Sequence, residues 1–162
     1  MLRVDLLPGK KRNYLLRKKA RKINHASFKQ KVIMRKVVSQ FGEGPLQQKL
    51  TIGDLHYLSD AEVSKGGEGT GPSPHEYLGA ALAACTSMTL KMYSERKSIP
   101  LKNTIVTVDI ERQNDIEIFT RDIELVGDLD DEQRARLLEI AQKCPIHKAL
   151  AGEIQIKTQL VN

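Results

Sequence analysis

The period at which apolar positions recur changes several times along the chain, and each change marks an element. Residues 31–39 (KVIMRKVVS) are rich in β-branched side chains and predict a first strand. The turn-forming stretch QFGEGPL follows. Two short strand-like runs, QQKLTI and LHYLS, then flank Gly53-Asp54 and predict a hairpin. The segment SKGGEGTGPSP holds four glycines and two prolines in eleven residues, so neither a helix nor a central strand can cross it. It ends in a helix start. Ser73 is placed as N-cap, Pro74 as the first helical residue and Glu76 three positions after the cap, the arrangement of a capping box. Tyr77, Leu78, Ala81, Leu82, Cys85, Met88 and Met92 then recur at helical spacing and predict a long helix to about Lys97, with Cys85 on its apolar stripe.

After Pro100 the period falls to two. Val106, Val108 and Ile110 alternate with Thr107, Asp109 and Glu111, which predicts a half-exposed strand. Gln113-Asn114-Asp115 turns the chain into a second strand that runs through about Val126. Asp128 or Asp130 caps a further helix with the stripe Ala135, Leu137, Leu138 and Ala141. That helix must stop at Cys144-Pro145, because proline cannot continue the hydrogen-bond ladder. A short helical turn (IHKALAG) follows. Ile154, Ile156, Thr158 and Leu160 alternate with Glu153, Gln155, Lys157 and Gln159, which predicts a last strand. Strands surrounding two helices in this order make an α+β domain.

Charge divides the chain in two. Residues 1–36 carry 13 of the 26 Lys and Arg but one of the 20 acids, so the net charge of +6 belongs to a basic arm on an acidic domain. The expected boundaries are a basic extension over 1–30 and one domain over 31–162, with Met34 offering a second start. The arm is suited to anionic partners by charge. It has few aromatics and no recognisable reader motif, so a solvated extension or a helix on a partner subunit is the plainer reading, and nucleic acid is not the expected partner. No run nears the 18 apolar residues of a membrane span, and the order of charged and apolar residues at the start is wrong for a secretory signal. A cytoplasmic protein with no membrane partner is expected.

The two cysteines, Cys85 and Cys144, are far apart and match no zinc-ligand spacing, and one pair is not a disulfide scaffold. In a reducing compartment such a pair is either inert core or redox chemistry. A helix beginning at Pro145 puts Cys144 at its N-cap, where free N–H groups stabilise a thiolate; His147 and Lys148 add positive charge. The preceding helix ends there with the opposite dipole, and the sequence leaves the net sign open. Cys85 lies in an apolar helix with no local donor, so burial alone raises its pKa unless a cation arrives from elsewhere in the fold or from a partner subunit.

GTGPSPHEYLGAALAACTSMTL (69–90) together with KCPIHKAL (143–150) resembles the OsmC/Ohr family of osmotically inducible and organic hydroperoxide resistance proteins. The resemblance covers about Val32 to Asn162. It implies an OsmC-like fold in which antiparallel or mixed sheets wrap around long central helices in an intertwined homodimer. It also implies a cysteine peroxidase acting on organic or small hydroperoxides, with Cys85 peroxidatic and Cys144 resolving, a dithiol reductant (a lipoyl group is one such), and no metal or organic cofactor. The characterised hydroperoxidases of this family place a glutamate ten residues before the reactive cysteine and an arginine on an N-terminal loop. Here His75 stands at the first position with Glu76 beside it, the matching loop SQFGEGPLQQ has no arginine, and Arg35 is a substitute candidate for the positive group, with His75 as the alternative. Each has a structural reading: capping for Glu76, solvent exposure for His75, surface charge for Arg35. The competing functional reading is a non-catalytic dimer of the same type that binds a small ligand or responds to oxidation.

Overall fold

The computed structural model describes residues 34–161; the expected basic arm and residues 31–33 lie outside them. Strands β1 (Val37–Phe41), β2 (Gln48–Ile52) and β3 (Leu55–Ser59) form an antiparallel meander. The β2–β3 turn is the two-residue Gly53-Asp54 link, with Gly53 at φ +62, a conformation that costs glycine little. Helix α1 (Pro74–Lys97) starts at the Ser73 capping box. Strands β4 (Leu101–Gln113) and β5 (Ile116–Gly127) form a long antiparallel hairpin. Its turn residues Asn114 and Asp115 both have positive φ, as a type I′ turn requires. Helix α2 (Asp131–Ala141), capped by Asp130, and helix α3 (Pro145–Leu150) complete the order. The architecture is α+β with antiparallel sheets.

Helix α1 lies along the inner face of the β4–β5 hairpin. The approach is closest at Gly79, where an added Cβ would stand 3.1 Å from Ile110 Cδ1. The core gathers Leu90, Tyr93, Leu137, Ile140 and Ala141, with Ile99, Leu101, Ile123, Leu125 and Leu129 packed around them. It therefore joins the second half of α1, one face of α2 and the base of the hairpin.

Two expectations need correction. The buried face of α1 is Gly79, Leu82, Thr86, Leu90 and Tyr93, rotated from the stripe read in the sequence; Leu78, Met88 and Met92 are exposed. The helix is apolar around most of its girth, so periodicity alone could not choose which face the hairpin covers. Residues 153–161 make no ladder among the described residues, and Ile154, Ile156 and Leu160 stand exposed. Their alternation is that of a strand, but a strand exists only where a partner edge accepts its hydrogen bonds.

The loop that leads from β3 to α1 is organised by Asp60. Its carboxylate accepts hydrogen bonds from the backbone N–H of Ala61 (2.8 Å), Glu68 (3.2 Å) and Thr70 (3.1 Å) and from the Thr70 hydroxyl (2.8 Å). The Thr70 N–H above all, with the other donors, outweighs burial and holds Asp60 below the ordinary 3.8. Because the folded value is the lower one, this stabilisation is complete above about pH 4 and is lost as the pH falls through the folded value. Thermal melts between about pH 5 and 2 should therefore show a steeper acid decline for the native protein than for Asp60→Asn. Equal slopes would place the acid sensitivity in other groups.

Candidate active site

Cys85 sits midway along α1 and is partly exposed, whereas Cys144 is fully buried; both are free thiols. Pro145 forces the break that makes the second position. Cys144 lies between α2 and α3 in a non-helical conformation (φ −54, ψ 129), its N–H reaching the Ala141 carbonyl at 3.3 Å. The chain reversal packs α3 and the Cys-Pro corner against α1, so that the two thiols stand close enough for each to shift the other's ionisation.

The pair is electrically asymmetric. Burial pushes the Cys85 thiol above its ordinary value, and the Cys144 sulfur, which takes the Cys85 proton as a hydrogen bond, pushes it further; the Ile146 N–H and the Thr89 hydroxyl oppose this only in part. Burial also works against a Cys144 thiolate. There the hydrogen bond from Cys85, the N–H groups of His147 and Ile146 and the Thr86 hydroxyl outweigh it, so Cys144 lies below its ordinary value. The two thiols are thus shifted in opposite directions, Cys85 up and Cys144 down, and such a pair titrates as a unit.

Behind Thr86 stands Arg121 on β5. Its Nη1 donates to Thr86 Oγ1 at 2.9 Å and to the Ala141 carbonyl at 3.3 Å. Thr86 is fully buried and donates its own proton to the Leu82 carbonyl at 2.7 Å. Arg121 also lines a cavity of about 400 Å³ with Leu82, Glu117, Phe119, His147, Leu150 and Ala151. The linear sequence does not present Arg121 as a site residue. Its mark is register: Phe119, Arg121, Ile123 and Leu125 share the less exposed face of β5, so an arginine stands between apolar neighbours in that row.

The other candidates stand elsewhere. Glu76 accepts the Ser73 N–H at 2.6 Å in the capping box, and this bond holds its carboxyl below the usual range. It precedes Cys85 by nine residues, on the order of 14 Å of helix. His75 is exposed, with Nε2 3.5 Å from Glu117 Oε1. The Arg35 side chain lies over the Gly53 turn. Among the described residues no group of three or more His, Cys, Asp or Glu side chains could hold a metal ion, and no helix is long and apolar enough to cross a membrane.

A capped helix carrying a mid-helix cysteine, packed on a long hairpin and met by a Cys-Pro corner, defines the OsmC-type α+β fold. Residues 67–159 match the family model described as OsmC-like protein, and the chain belongs to that family. An uncharacterized protein of Haloferax volcanii is 25% identical over 68% of this chain and 83% of its own length. The crystal structure of an OsmC like protein from Mycoplasma pneumoniae is similar, with TM-score 0.66, 16% identity, and coverage of 74% of this chain and 89% of that one. An organic hydroperoxide resistance protein OsmC from Legionella pneumophila aligns with TM-score 0.57, 19% identity and coverage of 75% and 93%.

Proposed function

We propose that this protein is a thiol-dependent peroxidase that reduces organic or small hydroperoxides and works as a homodimer. The observation that carries the reading is the meeting of two free thiols from distant parts of the chain, one partly accessible and one buried and polarised. The Cys85 sulfur attacks the terminal peroxide oxygen, the O–O bond breaks, and the alcohol leaves with one proton, so that Cys85 becomes a sulfenic acid. The Cys144 sulfur then attacks the Cys85 sulfur, water leaves and a disulfide forms. A dithiol returns both electrons and both protons through a mixed disulfide. The similar Legionella pneumophila structure is that of an organic hydroperoxide resistance protein, and its likeness to this chain is one of fold.

The homodimer is supported by apolar surface that one chain leaves bare. Leu78, Met88 and Met92 on α1, Val37 and Phe41 on β1, and Ile154, Ile156 and Leu160 in the terminal segment are all exposed. So extensive an apolar surface fits burial against another subunit.

Titrating reduced protein with cumene hydroperoxide and with hydrogen peroxide, while following mass and free thiols, tests the chemistry. One peroxide consumed per chain with formation of a Cys85–Cys144 disulfide is expected. Thiols that survive a tenfold excess of both peroxides would remove the peroxidase reading and leave the non-catalytic one.

A further inference from the structure

Arg121 is a part-buried cation without a counter-ion. It stands on the less exposed face of β5 between Phe119 and Ile123, where a charge is costly unless it is paired. Among the described residues no carboxylate forms an ion pair with it. Glu117 lines the same cavity, but its Oε1 lies 3.5 Å from His75 Nε2 and 3.6 Å from Arg112 Nη1. The two protein acceptors of Arg121, Thr86 Oγ1 at 2.9 Å and the Ala141 carbonyl at 3.3 Å, are both reached by Nη1. A guanidinium has about five N–H donors. Those of Nη1 are engaged, whereas Nε and Nη2 have no acceptor among the described residues. No buried side-chain nitrogen there is left without a partner, so Nε and Nη2 are open to solvent rather than sealed. That free edge has the spacing that takes both oxygens of a carboxylate.

The cavity that Arg121 lines has the form of a site for an organic acid. It holds about 400 Å³ between α1, β5 and α3, near the lower end of the range of ligand pockets, about 300–1,000 Å³. Leu82, Phe119, Leu150 and Ala151 give it apolar walls, and Arg121, His147 and Glu117 are its polar members. Water is poorly held by such walls, because each molecule needs about two to four polar partners. With one free guanidinium edge and a carboxylate in the same lining, a monoanion is favoured over a dianion. We propose that this cavity binds a small monocarboxylic acid with an apolar body, the carboxylate held by Arg121 Nε and Nη2 and the body packed on Leu82, Phe119 and Leu150. The two bonds from Nη1 fix the guanidinium before the ligand arrives, so little ordering remains to oppose binding. Neither cysteine lines the cavity, so the acid is bound there and not reacted on. The site stands whether or not the thiols reduce peroxides.

Calorimetric titration of the reduced full chain with phenylacetate tests this, with phenylacetamide as the probe of matching shape and no charge. Phenylacetate should bind at one per chain with a dissociation constant of about 1 mM or tighter. Phenylacetamide should bind about tenfold more weakly or worse, because it forgoes the charge-assisted pair. Equal affinity for the two in wild type would overturn the proposal, and so would no phenylacetate binding up to about 10 mM. The second result is the one expected if a carboxylate from another copy of the chain already occupies Arg121. Arg121→Gln should weaken phenylacetate about tenfold and leave phenylacetamide as it is, and Arg121→Lys, which keeps the charge without the fork, should recover part of the loss. Leu150→Trp, which fills the cavity from α3 and leaves Arg121 in place, should weaken both probes. Wild-type phenylacetate affinity in either Arg121→Gln or Leu150→Trp, folded by circular dichroism, would place the binding elsewhere and overturn the site. If neither variant folds, the comparison of the two probes in wild type decides.

Discussion

On the proposed peroxidase cycle, Cys144→Ser should leave a protein that reacts once. The Cys85 sulfenic acid then has no second thiol to close on, so it should be trapped by dimedone at one adduct per chain. Further peroxide should drive it to the sulfinic acid, a gain of two oxygens in mass that dithiols cannot reverse. Cys85→Ser removes the accessible sulfur and should lower peroxide consumption by several orders of magnitude, because Cys144 is fully buried. The two serine variants therefore separate the roles. Steady turnover in Cys144→Ser would mean that resolution comes from outside the pair, and equal loss of the first reaction in both would mean that Cys85 cannot react without its partner.

Met88→Glu combined with Met92→Glu is expected to leave a monomer. Both side chains are more than half exposed on α1 and lie four residues apart, so they form one patch on the side away from the hairpin. In a two-fold interface each substitution occurs twice. Removing four buried methionines forfeits on the order of 6 kcal/mol or more, before the cost of placing carboxylates in the same space. Light scattering at micromolar concentration should show the mass fall from two chains to one. The Cys85–Cys144 contact is internal to the chain, so thiolate absorbance should persist in the monomer if it stays folded. An unchanged dimer would place the interface on the β1–β3 sheet or the terminal segment.

Much of the fold is legible in the residues. Ser73, Pro74 and Glu76 set the start of α1, Gly53-Asp54 and Asn114-Asp115 set the two hairpin turns, and Pro145 separates α2 from α3. Local chemistry decides these features, and local chemistry can be read in one dimension. Which face of α1 packs inward could not be read, because Leu78, Met88 and Met92 are as apolar as Leu82 and Leu90, and the choice belongs to the neighbouring hairpin. The same limit applies at the candidate site. Cys85 and Cys144 stand out as residue types, whereas the lowering of the Cys144 pKa comes from Cys85, Thr86 and the N–H groups of His147 and Ile146, which only the three-dimensional path assembles. For Ile154 to Leu160 the alternation is plain, but the edge that would make it a strand is not in the described chain.

On the proposed cycle, the burial of Cys144 also dictates how the Cys85–Cys144 disulfide is reopened. An incoming thiol can touch only the sulfur of Cys85, so the transient cross-link to the reductant forms there and Cys144 departs. Thiol exchange runs faster when the departing sulfur is the more acidic one. The environment that favours the anion in the resting site thus also speeds recovery, and it directs the reductant to a single sulfur.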